Sequence, residues 1–480
     1  MREYKNYING KFVDGKGAFA AIDPATGRPA AWVHEADATV VDLAVDSARK
    51  SLNASWRTMP VDDRCAVMRS VADMIECRSD DLVDAEVADT GQPERRIRDF
   101  DIVTAAEYFR DCAQEIVSER DAASVSRGAG RTRDSHYSVR RPLGVIGMDV
   151  PWSLPLLSLV WRLAPALASG NAVVAKPSEE TPGTATVMAE IVESAGVPPG
   201  VFNVVHGFGL GSAAEILSAH PKLDGALFSP AIDKKTNSRV NRFSSESGGN
   251  NAAIVFSDVN LESTAESIAR SVFFNTGQHD LCIGTVFVER PIYAEMCELL
   301  VARAHQLSSG SPTSSHSDFG PAISRAQQDR VLQSHVRAER SGAIRLTSAE
   351  SWSVPREFSD GFWVEPTIWA LPNESVQGTQ QPIFGPSATI LPFDNDDEVI
   401  ERANRTVVGL AASVWTADLT RGHRVAQKMD SEIVWLNSWF ARHPRPTSHR
   451  TTMQGPRQTT LRQALDIYTD TTNIVAAKHN

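Results

Sequence analysis

Between residues 143 and 205 the apolar positions fall into short unbroken runs separated by longer amphipathic ones. Leu143-Gly144-Val145-Ile146-Gly147-Met148 has the length and continuity of a buried strand, and Leu156 to Ala168 the spacing of a helix. Asn171 to Pro177 predicts a second strand ending in a turn, Thr184 to Ala195 a second helix, and Phe202 to Val205 a third strand. Strand-helix-strand-helix-strand is the pattern of a parallel sheet with crossover helices, which places candidate ligand positions at the carboxyl ends of the strands. The apolar stretch from Leu154 to Leu167 contains Arg162 and is too short to span a bilayer, so it predicts a buried amphipathic helix. Ser308 to Ser317 is Ser-rich and predicts a surface loop. Ile467 to Val475 predicts a terminal strand, and a terminal strand needs an edge to pair with, which points to an oligomer.

Composition narrows the partner. The chain has 480 residues, room for two or three domains, and 42% of it is hydrophobic. A net charge of -11 with no Lys/Arg block argues against nucleic acid and against an anionic membrane, leaving a small molecule or another subunit. The five cysteines, Cys65, Cys77, Cys112, Cys282 and Cys297, are scattered and lack any paired metal spacing. They read as reduced thiols of a cytoplasmic protein with no metal site. The first residues, Met1 to Lys5, lead into no apolar run of the secretory type.

The segment Phe273-Phe274-Asn275-Thr276-Gly277-Gln278-His279-Asp280 carries the most specific signal. With Tyr7-Ile8-Asn9-Gly10, Asp23-Pro24-Ala25-Thr26-Gly27, Pro151-Trp152, Lys176-Pro177-Ser178-Glu179, Glu246-Ser247-Gly248-Gly249 and Ile383-Phe384-Gly385-Pro386, it resembles the aldehyde dehydrogenase superfamily over nearly the whole chain. The resemblance implies an α/β aldehyde dehydrogenase fold. It implies a Rossmann-like nucleotide-binding domain at 1–121 and 143–248, a catalytic domain at 249–446, and an oligomerisation arm at 122–142 with a C-terminal strand at 447–480. The arm's hairpin would pair with the C-terminal strand of a neighbour, giving a homodimer or homotetramer.

The same resemblance places Asp280 where the family has its nucleophilic cysteine and Glu246 where it has its general base. Ser153 stands where the family has an Asn that donates to the oxyanion, and losing one such donor costs about a hundredfold to a thousandfold in rate. Pro230 to Lys235 replaces the Gly-rich turn that faces the dinucleotide pyrophosphate, and Pro382 replaces a Glu that holds the nicotinamide ribose. Lys176 and Glu179 match the pair that binds the adenine ribose, with Trp152 and Phe384 beside the cofactor. The cofactor expectation is accordingly none, with NAD possible at a degraded site. Cys282 is too far along an extended chain to take over as nucleophile and reads as a buried thiol. His279, next to Asp280 on an extended segment, would point away from it. A carboxylate is a poor nucleophile toward an aldehyde. The residues therefore point first to non-redox acid/base chemistry by Glu246 and Asp280 on a small molecule. A catalytically silent structural subunit is the alternative, and NAD-dependent aldehyde oxidation ranks last.

Overall fold

The computed structural model describes residues 1–118, 123–127, 133–229, 231–232, 250–348, 352–371, 383–405, 410–441, 451–452, 455–456 and 461–477. The parallel series forms as the apolar runs require. β1 (Val145–Val150), β2 (Ala172–Pro177) and β3 (Phe202–Val204) lie side by side in parallel, and β4 (Gly225–Leu227) adds beyond β1. Two strands from the start of the chain, Asn6–Ile8 and Lys11–Val13, extend this sheet antiparallel past β3, to six strands.

The crossovers are α1 (Pro155–Ala168) and α2 (Pro182–Ser194), each begun by proline in its first turn, where the missing N–H is no loss. α1 is apolar nearly all round and correspondingly buried nearly all round, as a helix inside the core must be. Around it packs the largest core, with Trp56, Met68, Phe109, Leu157 and Leu163 fully buried.

Among the described residues the second sheet has seven strands. Its centre is β5 (Asn251–Val255), β6 (Ile283–Glu289), β7 (Thr367–Ala370), β8 (Ser387–Phe393), β9 (Ala411–Trp415) and β10 (Ile433–Leu436), all parallel. A short antiparallel piece, Ile344–Arg345, closes the edge at β7. Period-two alternation divides its side chains between two cores. Ala253, Val255, Val286 and Val288 face one core, while Ala252, Ile254, Phe287 and Phe393 face the other.

The arm is a three-stranded antiparallel sheet of Ala123–Arg127, Arg133–Pro142 and Thr469–Ala477. This corrects the expectation that the hairpin takes its third strand from a neighbour. The C-terminal strand pairs with its own chain's hairpin in unbroken register from Thr469 opposite Pro142 to Ala477 opposite Asp134. The short helix Leu461–Ile467 leads directly into this strand. Among the described residues, no helix is long and apolar enough to cross a membrane.

Candidate active site

The loop between helix Leu261–Phe273 and β6 is built on a strained turn. Asn275, Thr276 and Gly277 are consecutive residues with φ of 50°, 59° and 65°. A β-branched residue in that region is costly, and such strain persists only where neighbours over-determine it. Here they do. Gln92 Nε2 donates to Thr276 Oγ1 at 3.0 Å, and Thr276 Oγ1 donates to the Gly320 carbonyl at 3.0 Å. Gln278 donates to the Pro321 carbonyl at 3.0 Å and accepts from the Ile323 N–H at 2.9 Å. Only glycine fits at 277, because an added Cβ would sit 2.0 Å from the Gly385 carbonyl oxygen.

Past the turn the backbone is fixed as tightly. Asn251, at the start of β5, donates through Nδ2 to the carbonyls of Asp280 at 2.7 Å and Cys282 at 2.9 Å. Its Oδ1 accepts from the Ala411 N–H at 2.9 Å, so one buried amide joins the loop to two strands. Trp439 Nε1 donates to the Leu281 carbonyl at 2.9 Å.

Within this frame the Asp280 carboxylate is 19% exposed, and His279 Nδ1 lies 3.0 Å from its Oδ1. The His279 ring is 2% exposed. The expectation that His279 points away from Asp280 is thereby corrected: the segment is a series of turns and not extended, so these neighbouring side chains converge. Cys282 is buried as expected, with its thiol donating to the Phe274 carbonyl at 3.4 Å. Burial pushes that thiol well above the usual range, and the Asp280 charge adds to the push. A void of about 10 Å³, lined in part by Asn250, His279, Cys282, Phe384 and Ser387, adjoins it.

Over the loop stands an aromatic wall. Phe274, Trp439 and Phe440 pack mutually at 5.0–5.6 Å between ring centroids, and Phe100 meets both Phe274 and Phe440. His279 touches Phe440 at 5.3 Å and Trp161 at 6.3 Å. Phe100, Trp161, Trp439 and Phe440 come from separate elements and are gathered around Phe274 and His279 by the fold alone.

A buried ion-pair cluster lies at the carboxyl ends of β1 and β2. Lys176 is 2% exposed, with its Nζ 3.0 Å from Asp149 Oδ1 and 3.5 Å from Glu179 Oε2. Asp149 was not foreseen, since a single carboxylate at a strand end gives no periodic signal. Next to Glu179, burial and its neighbour's charge push the Glu180 carboxyl up to about 7. Trp152 and Phe384 pack edge to face at 5.4 Å, bringing the end of β1 beside the segment that enters β8. Ser153 precedes Leu154, whose φ of 49° turns the chain into α1, and the Ser153 carbonyl accepts from Ser158 Oγ at 2.6 Å. Glu246, Pro382 and most of the turn at 230–235 lie outside the described residues.

The aldehyde dehydrogenase family model matches residues 12–474. The chain belongs to the aldehyde dehydrogenase family. It is 40% identical to the 2-hydroxymuconic semialdehyde dehydrogenase of Pseudomonas sp. (strain CF600), across 99% of both chains. It is 39% identical to a 2-aminomuconic 6-semialdehyde dehydrogenase of a Pseudomonas species, across 99% of this chain and 98% of the other. Among solved structures, PnpE in complex with nicotinamide adenine dinucleotide is similar at a TM-score of 0.92 and 30% identity, covering 98% of this chain and 97% of its own. An NAD⁺ complex of an aldehyde dehydrogenase from Bacillus cereus is similar at 0.91 and 29%, covering 99% and 97%.

These relatives overturn the ranking of functions drawn from the residues. Non-redox chemistry and the silent subunit were placed above aldehyde oxidation, yet proteins similar over 91% or more of their length carry the names of semialdehyde dehydrogenases. A carboxylate's weak nucleophilicity bears on one route to the product and does not by itself exclude aldehyde oxidation.

Proposed function

We propose that this protein oxidises a small unsaturated semialdehyde of the muconic type to the corresponding carboxylic acid, with NAD as oxidant. The observation that carries the reading is the full-length similarity to the 2-hydroxymuconic and 2-aminomuconic semialdehyde dehydrogenases, which spans both sheets and the loop between them.

The residues present fit the adenosine half of a dinucleotide. Lys176 is preorganised between two carboxylates at the carboxyl ends of parallel strands, where such ligands bind. Glu179 can accept from a ribose hydroxyl and repels a 2′-phosphate, which favours NAD over NADP. Trp152 and Phe384 offer apolar edges on the path toward the loop. When bound, NAD supplies the hydride acceptor. The chain's own contributions are the rigid loop that carries Asp280, the aromatic wall of Phe274, Trp439 and Phe440 over that loop, and Ser153 at the entrance to α1. Asp280 stands, in this reading, where the family carries its thiol. The arm makes the protein a homo-oligomer, and its unpaired cysteines suit a reducing compartment, the cytoplasm.

The test is the appearance of reduced nicotinamide absorbance when the purified protein meets NAD⁺ and 2-hydroxymuconic semialdehyde. Saturable turnover is the expected result. No reduced cofactor across a panel of unsaturated semialdehydes, with no NAD-dependent rise in melting temperature, would overturn the proposal.

A further inference from the structure

We infer that Asp280 acts as a base toward water, so that the aldehyde is oxidised through its hydrate and not through a covalent adduct with the protein. This rests on the oxidation reading above and supplies the step that a missing thiol leaves open.

None of the five cysteines is placed to attack. Cys65 and Cys112 are buried in the first core, Cys77 is exposed at the end of an outer helix, and Cys297 packs against the second core. Cys282 lies in the loop itself, but its thiol is committed to the Phe274 carbonyl, and the void it borders has room for about one water molecule. A reacting carbon does not fit there. Nor can the loop reshape cheaply to present it, because Asn251 holds the backbone on both sides of Leu281 and Trp439 holds Leu281.

Asp280 is the loop's acidic group with solvent access, and a carboxylate with a water molecule is a general base. The loop also fixes where this carboxylate sits. His279 Nδ1 accepts from the Leu281 N–H at 3.1 Å and lies 3.0 Å from Asp280 Oδ1, so the imidazole borders one edge of the carboxylate. The ring is held for this by Phe274, Phe440 and Trp161, which makes His279 a positioning residue.

The chemistry balances. Water adds its oxygen to the aldehyde carbon while one of its protons passes to Asp280, and the former carbonyl oxygen takes up that proton to complete the hydrate. In the oxidation, the hydrate's C–H electron pair leaves as hydride to a nicotinamide dinucleotide, one O–H proton leaves to Asp280, and the carbon–oxygen double bond of the acid forms.

The first half needs no cofactor, and that is where the test lies. In heavy-oxygen water without NAD, the protein is expected to accelerate label exchange into the aldehyde above the spontaneous rate, read by mass spectrometry. Asp280→Asn should lower both this exchange and NAD reduction about a hundredfold or more, the usual contribution of a positioned base, with an unchanged melting temperature. Cys282→Ala should stay within about threefold of the parent, since a buried thiol outside the reaction contributes only packing. His279→Asn should lower the rate of exchange at saturating aldehyde while leaving the half-saturating concentration unchanged. Full exchange in Asp280→Asn, or loss of turnover in Cys282→Ala, would overturn the inference. Reduced NAD without accelerated exchange would also overturn it and leave the oxidation reading standing. Accelerated exchange with no reduced NAD would support the base and sink the oxidation reading instead.

Discussion

At position 277 a single methyl group decides whether the loop can exist. Gly277 combines a φ of 65° with a backbone oxygen 2.0 Å from where a Cβ would sit. Gly277→Ala therefore adds about 1–2 kcal/mol of left-handed strain and forces the Gly385 segment away. Turnover should be lost and the melting temperature lowered, which calorimetry and kinetics read together; an alanine variant with parental turnover would show the loop to be softer than its hydrogen bonds imply. Lys176 offers a second test at this scale. Its ammonium with the Asp149 and Glu179 carboxylates carries a net charge of minus one, and Asp149→Asn reduces that to zero. One charge partly screened by solvent amounts to about 1 kcal/mol, so the ratio of NADP to NAD affinity should rise about fivefold in a calorimetric titration. An unchanged ratio would mean that Asp149 serves Lys176 alone. Of these residues the sequence made Lys176, Glu179 and Asp280 legible through motifs. It left Asp149 and the inward turn of His279 hidden, because both depend on how backbones approach and not on any spacing.

At the scale of elements, α2 is positioned by a buried acid from another helix. Asp89, on the helix Ser79–Thr90, accepts from the N–H groups of Gly183 at 2.8 Å and Thr184 at 3.3 Å, satisfying two donors at the start of α2. Burial outweighs those bonds and pushes its carboxyl up to about 7. The unfolded chain releases the same proton in the ordinary carboxylate range, so at intermediate pH the folded protein holds one proton more. The contribution is whole below the unfolded value and is lost as pH rises through about 7. The melting temperature should accordingly fall between about pH 4 and pH 7, and Asp89→Asn should flatten that fall, since its amide oxygen still accepts from α2 without a charge to desolvate. A variant with the parental slope would assign the pH dependence elsewhere. The element boundaries themselves were largely readable. β1, α1, β2, α2 and β3 all lie within a few residues of where continuous apolar runs and helical periodicity put them, because buried parallel strands leave no polar face to confuse the pattern.

At the scale of the whole molecule, the aromatic wall and the arm both depend on chain segments far apart in sequence, which is why neither could be drawn from local patterns. The arm's root is tied into the first sheet. Asn171, between α1 and β2, donates to the Tyr468 carbonyl at 3.0 Å and accepts from the Gly144 N–H at 2.9 Å, and the Leu143 N–H reaches the same Tyr468 carbonyl at 3.2 Å. Tyr468 is fully buried, whereas the strand that follows carries exposed positions such as Val475. Anchor and strand are thus separable. Removing residues 469–480 should leave both sheets folded, since the anchoring contacts end at Tyr468, but it strips one of the two partners from Arg133–Pro142 and exposes an open strand edge. An open edge either pairs with foreign strands or ceases to template assembly. The shortened protein should therefore change its mass in light scattering behind size exclusion, toward smaller species or toward aggregates, while its main melting transition stays close to that of the parent. The parental mass would place the assembly surface away from this sheet, and collapse of the main transition would mean that the strand belongs to the core's cooperative unit and is not an appended arm.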